Sequence, residues 1–122
     1  MNIEYVKVNG TDIAVVSGDQ AELTTPQAAL DLAMTARYEA GAERIAIDKR
    51  ALGEDFFILS TGVAGEILQK FVNYHVKAAV FGDCSRYTSK PLRDFIYESN
   101  KGKHFFFISS REEAVERLAR AE

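Results

Sequence analysis

The sequence predicts a single α/β domain with the element order ββαβαβαβα, built on a mixed, mostly parallel five-stranded sheet that begins with an antiparallel hairpin. Three observations carry that expectation. An Asn9-Gly10 pair separates two strand-like segments, short apolar runs then alternate with segments of helical spacing, and the helical segments carry their own start and stop residues. With 122 residues, 47% of them hydrophobic, the chain can bury one core but not two, so one domain over 1–122 is expected.

Ile3 to Val8 and Thr11 to Ser17 flank the Asn9-Gly10 pair. A two-residue type I′ turn needs positive φ at both central positions, which Asn-Gly tolerates best, so strands one and two run antiparallel. Thr25-Pro26 opens the first helix, Ala29, Leu32, Ala33, Ala36 and Ala40 recur at helical spacing, and Gly41 supplies the stop. Ile45-Ala46-Ile47 is a short buried strand ending at Asp48. After Phe56 and Phe57 a second helix is expected, with Ala64, Ile67, Leu68 and Phe71 on one face. Lys77 to Gly82 is then the fourth strand. Ser89 and Pro91 open a third helix that turns Leu92, Phe95 and Ile96 inward and ends at Gly102. His104 to Ile108 is the fifth strand, and Ser110 with Glu113 forms a capping box before the inner stripe Ala114, Val115, Leu118 and Ala119. Strands joined through helices run parallel with right-handed crossovers, and the apolar fourth and fifth strands imply a sheet covered on both faces in its middle.

The longest apolar stretches, Ala78 to Phe81 and Phe105 to Ile108, fall far short of the ~18–20 residues that span a bilayer, so no membrane is expected as a partner. Glu4 and Lys7 interrupt the N-terminal segment, no apolar signal core is present, and the cytoplasm is the expected compartment. Cys84 is alone, so it forms no internal disulfide, and His75 and His104 are poor company for zinc. A net charge of −3 argues against general nucleic-acid binding. Residues 1–66 nevertheless carry five basic and eleven acidic side chains, and residues 67–110 seven basic and three acidic. A mixed solvated surface accounts for this; the alternative is a basic face around Arg86, Lys90 and Arg93 that meets an acidic partner or a phosphate.

All eight phenylalanines lie between Asp55 and Ile108, around the polar run Ser60-Thr61-Gly62-Val63-Ala64-Gly65-Glu66. Where such a loop becomes a helix, unpaired N–H groups and the positive dipole end favour a phosphate or carboxylate. Ser60, Thr61, Gly62, Gly65 and Glu66 are therefore candidate binding residues, with Asp83, Arg86, Lys90 and Arg93 completing the set. Ligands of parallel sheets meet the carboxyl ends of strands, here Ser17-Gly18-Asp19, Asp48-Lys49-Arg50, Gly82-Asp83-Cys84-Ser85 and Ser109-Ser110. Asp48 and Asp83 could bind Mg²⁺ or serve as acid and base, with Lys49 holding a phosphate. Equally, such residues follow strands because they cap helices and stabilise turns. The phospho-receiver pattern fails, since a hairpin replaces its acidic pair and Ser109 its lysine. Gly62 and Gly65 make neither a P-loop nor G-x-G-x-x-G. Neither histidine has an evident route to Ser60 or Cys84, and Asp83 beside the thiol disfavours a thiolate, so no catalytic residue and no cofactor is expected. Tyr87-Thr88-Ser89 reads as a contact loop or as a turn and cap.

The run from Phe56-Phe57 through Ser60-Thr61-Gly62-Val63-Ala64-Gly65-Glu66, then Gln69-Lys70-Phe71 and Asn73-Tyr74, Gly82-Asp83, and Arg93-Asp94-Phe95-Ile96-Tyr97-Glu98-Ser99-Asn100-Lys101-Gly102, resembles the bacterial family known as domain of unknown function 4180. That resemblance covers nearly the whole chain and implies no particular activity. The layout is also similar to the STAS domain, a small regulatory α/β fold of sulfate transporters and anti-sigma factor antagonists. Val16-Ser17-Gly18-Asp19 stands for its turn after the second strand, and Phe57 to Gly62 for the loop with the phosphorylatable serine, which places Ser60 as acceptor. STAS domains usually carry an aspartate directly before that serine, and this chain has Leu59.

The resemblance implies a cytoplasmic regulatory or protein-interaction domain, and the charge block with the Ser-Thr-Gly-x-x-Gly run points to the Ser60 to Glu66 helix start and the Arg86 to Arg93 loop as its contact surface, with another protein or a small anionic ligand as partner. The sequence is compatible with a homodimer. The alternatives are a small phosphate-handling or hydrolytic enzyme built on Asp48, Asp83 and Lys49, and a small-ligand sensor whose aromatic cluster lines a pocket.

Overall fold

Strands β1 (Asn2–Val8) and β2 (Thr11–Ser17) pair antiparallel with Val8 opposite Thr11. The connecting turn has φ of 51° at Asn9 and 79° at Gly10, the left-handed pair that this turn requires. The computed structural model describes residues 1–121; Glu122, the last residue of the expected domain, lies outside the described residues. Helix α1 (Pro26–Ala40) opens where Thr25 Oγ1 accepts a hydrogen bond from the Ala28 N–H at 3.1 Å, and it closes at Gly41. Strand β3 (Arg44–Asp48), a one-turn helix α2 (Glu54–Phe57), α3 (Val63–Asn73) and β4 (Lys77–Phe81) follow. Helix α4 (Lys90–Lys101), β5 (Phe105–Ile108) and α5 (Arg111–Arg120) complete the chain.

The sheet order is β1-β2-β3-β4-β5, with every pair after the hairpin parallel. Strands laid down in sequence order place their crossover helices on one side. Accordingly α1, α3 and α4 pack with Ala14, Val16, Ile45, Ile47, Ala78, Val80, Phe105 and Phe107 on one face. Helix α5 alone covers the other, where Ile13, Val15, Ala46, Ala79 and Phe106 meet Ala114 and Leu118. Both faces of the central strands are therefore apolar, as their unbroken hydrophobic runs require. A relay of rings ties α2 to the edge of the sheet: Phe56 lies 6.4 Å from Phe105 and 6.1 Å from Phe107, and Phe71 lies 6.3 Å from Phe105. No helix among the described residues is long and apolar enough to cross a membrane.

The outer edge of β5 is closed by a side chain. Asn100 Oδ1 accepts from the Phe107 N–H at 2.7 Å, and Asn100 Nδ2 donates to the Phe107 carbonyl at 3.2 Å, so one amide stands in for a missing strand.

The second helix expected after Phe56 and Phe57 is α3, which starts at Val63 behind a left-handed Gly62 at φ 82° and buries Ala64, Ile67 and Phe71. Ahead of it, Phe56 and Phe57 sit in the one-turn α2 and a 3-10 turn covers Leu59–Thr61, two short elements not expected from the sequence. Ser89 occupies the N-cap position of α4 but its side chain makes no capping hydrogen bond, and Gly102 ends that helix at φ −89° without a left-handed residue. The fifth strand begins at Phe105, one residue later than expected. Ser110 Oγ accepts from the Glu113 N–H at 3.2 Å and caps α5 as its pattern demands.

Candidate functional site

The carboxyl ends of β2, β3 and β4 and the amino ends of α1, α3 and α4 share one edge of the molecule. The two aspartates there are engaged locally. Asp48, 5% exposed, takes the Arg50 N–H on Oδ1 at 2.9 Å and the Arg50 guanidinium on Oδ2 at 2.7 Å. Burial pushes its carboxyl up, but the hydrogen bonds and charge of Arg50 outweigh that and hold it below the ordinary carboxylate range. Asp83 accepts from the Ser85 N–H at 2.9 Å, and that bond, reinforced by the Ser85 hydroxyl, lowers its pKa. Both are the turn-stabilising arrangement that Asp commonly makes after a strand. Among the described residues, no three His, Cys, Asp or Glu side chains gather as a metal site would require.

Lys49 runs across this edge and donates to the Asp83 carbonyl. Its stem lies against Gly82, whose φ of 132° is a conformation that side chains rarely adopt. Tyr87 organises the next loop: its ring stacks on Phe57 at 4.4 Å and 6° between planes, Lys49 Nζ stands 5.4 Å from its centroid, and the Arg86 guanidinium stands 4.9 Å from it. Arg86 also donates to the Tyr87 hydroxyl at 2.8 Å and to Glu54 at 3.4 Å. These groups, with Asp19, Arg50 and Leu52, line a recess of about 240 Å³. In sequence Tyr87 reads only as a turn or contact residue; the loop's single large ring, thirty residues after Phe57, is its one signal.

The Ser60 run forms a separate shoulder. Thr61 Oγ1 lies 2.6 Å from the Asp55 carbonyl and 2.8 Å from the Ile58 carbonyl, and accepts from the Val63 N–H at 3.3 Å, which pins the 3-10 turn from within. Ser60 and Gly65 are exposed, and Ile58 holds an apolar side chain out at 50% exposure. Glu66 lies in the first turn of α3, where its own carboxylate meets the positive end of the helix. Lys90 pairs with Asp94 at 2.7 Å on the first turns of α4, and Arg93 is exposed beside Tyr97. Among the described residues no hydrogen bond or ion pair joins Ser60, Thr61 or Glu66 to Arg86, Lys90 or Arg93. The Phe57–Tyr87 stack is what couples the shoulder to the basic loop. Cys84 lies beside that loop, and burial, then the Asp83 charge, raise its thiol pKa against the opposing charges of Lys49 and Arg86. His75 sits exposed at φ 60° after α3, and His104 is exposed before β5, so both belong to the opposite edge.

Fold and edge together define a small single-sheet α/β domain that displays polar loops, with its strand-end acids tied into turns. The chain belongs to the family described as Domain of unknown function (DUF4180), whose family model matches residues 8–118. No curated protein and no solved structure matches the chain at a significant level.

Proposed function

We propose that this domain recognises another protein through the Ile58 to Glu66 shoulder and the Arg86 to Arg93 loop, acting as a regulatory or interaction module without chemistry of its own. The observation that carries the reading is the strand order. Open α/β sheets form a ligand crevice where the strand order reverses. Here it runs β1 to β5 without reversal, so the carboxyl edge carries surface recesses, of about 240 Å³ beside Lys49 and Tyr87 and about 530 Å³ between Cys84-Ser85 and α4, in place of a crevice between diverging strands. Asp48 and Asp83 already accept hydrogen bonds from their own turns, which gives the hydrolytic alternative no free acid and base pair. What faces outward is instead suited to contact: exposed Ile58, Ser60, Arg86 and Arg93, on turns held by Thr61 and the Phe57–Tyr87 stack. The resemblance of the sequence to STAS domains, with Ser60 at the position of their phosphorylatable serine, points the same way.

Quantitative affinity capture from native lysate tests it, with wild type, Ser60→Glu, Ile58→Asp and Tyr38→Asp as baits. Tyr38 is 91% exposed on α1, away from the proposed surface. Proteins enriched by wild type and Tyr38→Asp should be lost with the other two baits. Identical sets across all four baits, or no enrichment at all, contradict the reading, and turnover of a phosphoester panel abolished by Asp83→Asn would replace it.

A further inference from the structure

The opposite edge of the sheet gathers positive charge that no short segment of the sequence announces. Lys101 and Lys103, from the end of α4 and the loop before β5, face Arg117 and Arg120 of α5 across a recess of about 320 Å³. Arg44 and Lys77 are direct partners at the starts of β3 and β4. Their second neighbours Ala46 and Ala79 belong to the α5-side core, so strand alternation turns Arg44 and Lys77 to that face as well. Like charges directly opposite on neighbouring strands destabilise a sheet.

The polar ends of three of these side chains rest on carbonyls, not carboxylates. Arg44 donates to Leu118 O, Lys77 to Lys103 O at 2.7 Å, and Arg117 to Asn100 O at 3.4 Å. Among the described residues, the carboxylates paired with these cations are Glu98, 3.8 Å from Lys101, and Glu116, 3.8 Å from Arg120, both exposed pairs of little strength. The carboxyl ends of α4 and α5 each contribute about half a negative charge. Among the described residues, six cations set against two carboxylates and two helix ends leave an excess of about three positive charges. Burial lowers the Lys77 pKa, and the neighbouring charges of Arg44 and Lys103 lower it further.

We propose that this recess binds a compact polyphosphate, a di- or triphosphate chain, on Lys101, Lys103, Arg117 and Arg120, with Arg44 and Lys77 supplying field from beneath. Guanidinium forks and ammonium groups on several sides of a concavity match clustered phosphate oxygens. An extended nucleic acid fits less well. Six of the fifteen Lys and Arg side chains are gathered here, and the other nine share the remaining surface of a chain with eighteen Asp and Glu. No aromatic ring lines the recess to stack a base.

Calorimetric titration with sodium tripolyphosphate in ~0.15 M salt tests the proposal, with orthophosphate and a single-stranded oligonucleotide as comparison ligands. Tripolyphosphate should bind saturably at one site, and orthophosphate at least about tenfold more weakly. Lys103→Glu and Arg120→Glu, both at exposed positions, should each weaken binding about tenfold or more at unchanged thermal melting, while Arg86→Glu at the other edge should leave it intact. Should either reversal disturb folding, Lys103→Gln with Arg120→Gln gives the same comparison. Absence of saturable tripolyphosphate binding, equal affinity in the reversed variants, or tighter binding of the oligonucleotide overturns the proposal.

Discussion

Replacing Gly82 with alanine tests how the carboxyl edge is held. A Cβ at this position would lie 2.9 Å from Lys49 Cγ and 3.0 Å from its Cδ, on a backbone at φ 132°. Holding a residue other than glycine in such a sparsely populated region costs about 1–3 kcal/mol. Displacing Lys49 also breaks its hydrogen bond to the Asp83 carbonyl, worth about 1 kcal/mol. Gly82→Ala should therefore destabilise the domain by about 2–4 kcal/mol. Lys49→Ala alone should cost about 1 kcal/mol, because it removes the bond and the contact with Tyr87 but introduces no strain. In the double variant the clash is gone and only backbone strain is added, so its loss should fall short of the sum by about 1 kcal/mol. Urea unfolding followed by circular dichroism on all four proteins measures this cycle. A Gly82→Ala variant within about 0.5 kcal/mol of wild type, or strict additivity, refutes the steric argument.

Asn100→Ala removes both bonds that close the β5 edge and should cost about 2 kcal/mol, lower the melting temperature by ~6–10 °C and promote self-association on light scattering; wild-type behaviour in both would show that solvent replaces the amide. Asp48→Asn tests the turn at the end of β3. Because the folded carboxyl is held below its ordinary value of 3.8, its contribution is present above that value and lost as pH falls through the folded pKa. The variant should thus trail wild type by about 1–2 kcal/mol at neutral pH and converge with it in acid, and a gap that widens below pH 4 would contradict the sign. Thr61→Val leaves the shoulder without its internal pin, so amide exchange over 58–66 should accelerate at nearly unchanged global stability; unchanged local exchange would deny Thr61 that role.

Several parts of the fold were legible because local chemistry and long-range packing agree there. Asn9-Gly10 specified the hairpin, Thr25 and Gly41 bounded α1, and Ser110 capped α5, each through a hydrogen bond or dihedral that only a few residue types supply. Helix α3 was legible from its apolar face, but the one-turn α2 and the 3-10 turn ahead of it were not, since neither is long enough to show a helical period. The strand-end acids carried both readings in sequence, acid–base pair and turn cap, and only the structure chose the second, because the two roles of Asp48 and Asp83 differ in which backbone N–H lies nearby. Basic residues in sequence proximity suggested a face around Arg86, Lys90 and Arg93. Lys90 instead pairs along its own helix, and the denser cluster joins Arg44, Lys77, Lys101, Lys103, Arg117 and Arg120 from four separate stretches of chain. Only the strand order brings those together, and no periodicity in the sequence reports strand order.

Site-specific photocrosslinking tests the central claim most directly. A photoreactive residue is placed at Ser60 in one protein and at Tyr38 in another, and both are irradiated in the native cell. Recognition through the shoulder predicts a discrete crosslinked protein from position 60 that is absent from position 38 and disappears when Ile58→Asp is added. No adduct at position 60, or the same adducts from both positions, contradicts it.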